Sequence, residues 1–179
     1  MSEIEVVKIV FGILGTLGAI ILFFISFKFY YPYLIQEKRC TIKTKGIVKK
    51  YAANSADGYF SPKVYYTVDN REYKAIGPRY RFIIKKTGSS PFSENEMSFY
   101  ETEKQDFVIY RKSNSQITIN ENPMATLYPK GSAIDVYYDP NNPKLSYVLR
   151  YCNLKFAFWL TFISAALLLI MEMLLQLLL

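Results

Sequence analysis

The chain has 179 residues, enough for one modest domain. It carries 22 Lys and Arg against 15 Asp and Glu, a net charge of +7, and no histidine. Lack of histidine removes the commonest general base, the usual serine and cysteine triads and most zinc sites, and no glycine-rich nucleotide loop or nucleophile-elbow motif is present.

Taken in chain order, the first feature is an apolar run. Residues 9–27 (IVFGILGTLGAIILFFISF) contain 19 uncharged residues. A bilayer core needs about 20 helical residues to cross, so residues 6–29 are expected to form a transmembrane helix. The preceding MSEIEVVK has two glutamates against one lysine, and no small-residue cleavage site follows the run. Both features argue for a retained anchor over a secretory signal. Gly15 and Ala19 make a small-xxx-small step, a packing signal of low specificity.

Basic residues follow at once: Lys28, Lys38, Arg39, Lys43 and Lys45. Lys144, Arg150 and Lys155 precede a second apolar run at residues 156–171. Positive flanks favour the cytoplasmic side. The stretch between them, residues 38–151, is therefore expected in the cytoplasm with both termini outside, in a multi-pass cell-membrane protein. Tyr30, Tyr31, Tyr33 and Tyr151 fit an interfacial aromatic belt.

The middle is expected to be built of strands. Residues 40–52 are β-branched and polar by turns. Residues 54–58 (NSADG) form a loop, and residues 63–69 (KVYYTVD) alternate with period two and return through residues 72–76 after a turn at Asp69-Asn70-Arg71. Residues 106–111 and 116–120 are expected to pair with each other. Residues 133–138 and 145–149 form a last hairpin through Asp139-Pro140-Asn141-Asn142-Pro143. No stretch has helical periodicity, and residues 84–105 read as a long loop. The fold class is a membrane protein with a mainly β soluble part, two transmembrane helices flanking a small antiparallel β-barrel or sandwich.

In the last turn, Asp139 can accept backbone N–H bonds, Pro140 sets φ, and Pro143 restricts Asn142 and cannot donate to a ladder. Gly131 can take a positive φ ahead of the strand. These five residues, Gly131, Asp139, Pro140, Asn142 and Pro143, are read as structural. Glu94, Glu96, Glu101, Glu103 and Asp106 lack the spacing of a calcium loop and are read as a solvated acidic loop. No cofactor or metal is implied.

Cys40 and Cys152 are the two cysteines. Reduced thiols are expected in the cytoplasm, a disulfide if the domain is outside. Lys43, Lys45, Lys49 and Lys50 are candidates for contact with anionic head groups or a partner. Lys43 and Lys45 share a strand face, and Lys49 joins them if no bulge intervenes. The alternative is that these charges serve topology and solubility.

The second span, residues 154–177, contains Glu172, an ionisable group within the apolar run. Three roles are open to it: tolerance near the far interface, helix–helix contact, and ion or proton conduction.

One resemblance joins these parts. Thr44-Lys45-Gly46-Ile47-Val48, the hairpin YTVDNREYKA and the signature Val136-Tyr137-Tyr138-Asp139-Pro140-Asn141-Asn142-Pro143, ahead of a terminal apolar helix, resemble the bacterial family of unknown function DUF3592. The resemblance covers about 70 residues and the flanking spans. It departs near residues 80–126, where this chain carries an insertion. It implies a small β-domain between membrane anchors and no established activity.

Three function classes follow. The first is a non-enzymatic membrane-anchored module that contacts lipid or a protein partner. The second is an immunity or secretion-accessory protein protecting a membrane from a toxin. The third is a small pore or transporter subunit, favoured by Glu172. No nucleic-acid recognition motif is present, and the spans offer a surface for oligomers.

Overall fold

The computed structural model describes residues 3–52, 59–89, 96–113 and 122–178. They divide into two units, one made of the helices at both chain ends and one spanning residues 36–152.

The helical unit is an antiparallel pair. Helix α1 (Glu3–Ile25) runs through a π-helical turn (Ser26–Tyr30) into α2 (Tyr31–Arg39), so the helix extends about ten residues beyond the expected boundary at 29. Helix α4 (Lys155–Leu178) returns beside α1. Both are long and apolar enough to cross a membrane, and only 11% of the residues in each apolar window are buried. A core helix of a water-soluble protein would be covered on most sides; these two bury only the stripe along which they meet. Small residues make that stripe, with Ala19 and Ala165 fully buried. At one end Ser26 Oγ donates to the Phe158 carbonyl at 3.2 Å and lies 2.9 Å from Thr161 Oγ1. Around it Phe23, Phe27, Phe158 and Phe162 stack edge to face or offset, the arrangement that ring quadrupoles favour.

The second unit contains two sheets. Five strands, β1 (Ile42–Tyr51), β2 (Pro62–Val68), β3 (Arg71–Ile76), β7 (Ala133–Asp139) and β8 (Asn142–Val148), pair antiparallel in the order β3-β2-β1-β7-β8. The two outer strands, β3 and β8, come together, so the sheet is nearly a closed barrel. Its inner face alternates as expected: Val48, Val64, Tyr66, Ala75, Ile134, Val136 and Val148 are buried together. The two hairpins follow their turn chemistry. Asp69 and Asn70 take φ of 48° and 60°, the two left-handed residues of a tight hairpin turn. At the other, β7 and β8 reach closer to the turn than the expected strands, leaving Pro140 and Asn141 between Asp139 and Asn142.

The second sheet is where expectation fails. Of residues 84–105, expected as a loop, the described ones lie mostly in β4 (Ile83–Ser89) and β5 (Glu96–Glu101), which flank β6 (Phe107–Ser113) in the order β4-β6-β5. β4 runs parallel to β6, so the domain is not wholly antiparallel. The reason lies in β6. Phe107, Val108 and Ile109 are all at most 3% exposed, and a strand covered on both faces is stabilised in the middle of a sheet, between β4 and β5. Residues 116–120, expected to pair with residues 106–111, and the 54–58 loop lie outside the described residues; β4 and β5 occupy the two edges of β6. Phe107, Ile109, Tyr59 and Met124 form a second core. Met124 comes from a helical turn that periodicity was too short to reveal, α3 (Pro123–Leu127), with Pro123 at its start and the Asn122 side chain accepting from Met124 N–H.

Candidate functional site

The sheet register decides what the candidate lysines do. On β1, Lys43, Lys45 and Ile47 share the outer face, opposite Tyr137, Asp135 and Ala133 of β7. Both ammonium groups reach one carboxylate: Lys43 Nζ lies 2.9 Å and Lys45 Nζ 2.5 Å from Asp135. Hydrogen bonds from Lys45 and then Lys43 hold the Asp135 carboxyl below its ordinary range, and Asp135 in turn raises Lys43.

A β-bulge does intervene between Val48 and Lys50. Lys49 is the extra residue; it pairs with Glu72 of β3 and lies 4.7 Å from the Tyr65 ring centre. Past the bulge, Lys50 stands opposite Lys63, on the face that also carries Tyr65 and Lys74. The strand pairing thus brings Lys43, Lys45, Lys49, Lys50, Lys63 and Lys74 to one face against two carboxylates, Asp135 and Glu72. Lys63 and Lys74 were not singled out by sequence. Alternation along β2 and β3 does not say which strand this hairpin lies against.

The Asp139 turn is built as its residues suggest. Asp139 is 1% exposed and Asn141 N–H donates to its Oδ1 at 2.9 Å. Its other oxygen meets the Arg39 guanidinium at 2.7 Å, a partner the turn motif does not reveal. Gly131 has φ of 86°. Pro143 sits in β8, where its carbonyl accepts from the Tyr66 hydroxyl. Asp139→Ala should lower the stability of the domain by about 1 kcal/mol, because half-exposed Arg39 can turn to water when its partner is lost. Thermal unfolding of the full chain in detergent measures this; unchanged stability with a lost binding event would make the turn a recognition element instead.

Both cysteines are buried free thiols. Burial, with a smaller contribution from the Asp139 charge, pushes Cys40 up to about 11, and burial likewise raises Cys152. At neutral pH such thiols are protonated and poor nucleophiles.

Glu172 faces the partner helix. Its Oε1 accepts from Gln176 Nε2 at 2.9 Å, and Gln176 also donates to the Lys8 carbonyl at 2.9 Å. Glycines make the room: a Cβ on Gly15 would stand 2.6 Å from Glu172 Oε2, and one on Gly12 2.9 Å from Gln176 Nε2. The Glu172 side chain also borders a cavity of about 410 Å³ lined by Phe11, Leu14, Leu168, Met171 and Leu175. Helix–helix contact is the role this geometry displays.

Among the described residues, no three acidic or cysteine side chains converge as metal ligands. Glu96 and Glu101 lie on β5, and Glu101 pairs with Arg150 at 2.5 Å. Sequence reasoning missed Phe82, Ile84 and Tyr100, exposed apolar residues of the second sheet. The apolar Phe82-Ile83-Ile84 triplet was the signal for β4, masked by the Lys-, Gly- and Ser-rich residues after it. Comparison with family models, curated proteins and solved structures gives no match for this chain.

Proposed function

We propose that this chain is a non-enzymatic, membrane-anchored binding module whose β-domain contacts anionic head groups through the outer face of its five-stranded sheet. The observation that supports it is the gathering of six lysines against two carboxylates on that face. Ion pairs with Asp135 and Glu72 hold Lys43, Lys45 and Lys49 in place without cancelling the excess charge. The two exposed apolar helices act as spans, and the basic residues beside them put the domain in the cytoplasm with both termini outside. The motifs that resemble those of DUF3592 fit this arrangement.

The test is the acetylation rate of each lysine, read by mass spectrometry on the full chain in lipid nanodiscs. Replacing zwitterionic by anionic lipid should slow Lys43 and Lys45 roughly threefold, with a smaller effect at Lys50. High salt, which shortens the Debye length to about 3 Å, should remove the difference. Equal rates in both lipids would reduce these lysines to topology and solubility. A pore or transporter subunit is the second reading, carried by Glu172 at its cavity, and ion flux through proteoliposomes separates it.

A further inference from the structure

The three-stranded sheet has two unlike faces. One carries Phe107 and Ile109 into the core with Tyr59 and Met124. On the other, the register sets Ile84, Val108 and Tyr100 side by side across β4, β6 and β5. Phe82, two places before Ile84, extends this row past the strand end. Val108 is covered, but Phe82 is 59%, Tyr100 55% and Ile84 39% exposed. The Arg81 guanidinium lies 5.5 Å from the centre of the Phe82 ring. Large apolar side chains left exposed on both sides of buried Val108, with a guanidinium beside them, mark a surface that something else covers.

Position and chemistry together name the cover. These strand ends are tied to the last residues of the domain before α4. Arg150 bonds Glu101 at 2.5 Å and the Arg79 carbonyl at 2.8 Å, and Gln105 Nε2 donates to the Tyr151 carbonyl at 3.1 Å. Asn153 and Leu154 alone separate Cys152 from α4. Aromatic and aliphatic side chains with a guanidinium beside them suit the head-group boundary, where rings enter the acyl region and the cation stays with phosphates. We infer that Phe82, Ile84 and Tyr100, with Arg81 beside them, form an interfacial anchor that docks this end of the β-domain into the bilayer. The inference rests on the membrane-anchored reading above.

Trp159 is the sole tryptophan and lies in α4, so the chain carries its own reference. The full-length protein is reconstituted into vesicles of mixed zwitterionic and anionic lipid with bromine on the upper acyl chain. The wild type reports α4. Phe82→Trp in a Trp159→Phe background reports the patch, and Tyr100→Trp in the same background repeats the measurement at a second exposed position. Insertion to about 5–10 Å should quench both patch reporters by about half and shift their emission to the blue. Quenching in the wild type without quenching in either patch variant overturns the inference and leaves the anchored reading intact. Blue-shifted but unquenched patch reporters overturn it too, in favour of a protein cover. No quenching in any of the three removes the anchored reading and the inference together.

Discussion

Phe107→Ala should be the most damaging single change in the β-domain, at about 3–5 kcal/mol. The Phe107 side chain is 1% exposed, with the Tyr80, Tyr59 and Phe99 rings centred 4.7, 5.8 and 6.0 Å away. Truncation leaves a ring-sized void among aromatic neighbours that cannot collapse to fill it. Backbone hydrogen exchange on the full chain should show β5 and β6 losing about two to four orders of magnitude of protection, the equivalent of that free energy. Val136→Ala serves as comparison in the barrel core. Tyr128 packs against both cores, so protection lost in both sheets together would mean one cooperative unit, and loss confined to β4, β5 and β6 would mean two. Had residues 84–105 been a loose loop, Phe107→Ala would leave exchange there unchanged, and that result would reject the second sheet.

Gly46→Ala should also destabilise the domain, by about 1–3 kcal/mol, and Gly46→Val by more. Gly46 sits on β1, the middle strand of the barrel sheet, facing the core. An added Cβ would stand 2.5 Å from Val64 Cγ1, 3.0 Å from the Tyr65 carbonyl oxygen and 3.0 Å from Val136 Cγ2. None of these yields easily: valine is stiff at χ1 and the carbonyl belongs to the β2 backbone. Gly88→Ala on β4 is the control, because its nearest neighbour is at an ordinary 3.5 Å. The thermal midpoint of the full chain should drop by several degrees for Gly46→Ala and hardly move for Gly88→Ala. Equal midpoints would mean that β1, β2 and β7 are less tightly packed than this. The result also bears on the Thr44-Lys45-Gly46-Ile47-Val48 motif, whose glycine has a packing reason in this fold.

What the sequence determined by itself is what short-range chemistry can express. Apolar runs of span length become α1 and α4 because each helix satisfies its own backbone hydrogen bonds. The β2–β3 and β7–β8 hairpins form where period-two alternation meets residues suited to tight turns, Asp69-Asn70 and Pro140-Asn141. The positive φ of Gly131 and the Asn141 N–H bond to Asp139 are local in the same way, each made within a few residues of backbone. Tertiary structure decided the rest, because the deciding partner lies far along the chain. β4 pairs parallel with β6, which no local turn can announce, and β6 reads as a central strand only once β4 and β5 flank it. Lys45 meets Asp135, Arg39 meets Asp139 and Lys49 meets Glu72 only after the barrel register is set. That register also brings Lys63 and Lys74 to the face that carries the β1 lysines, and the register of the second sheet sets Ile84 and Tyr100, from residues that resembled a loop, on either side of Val108.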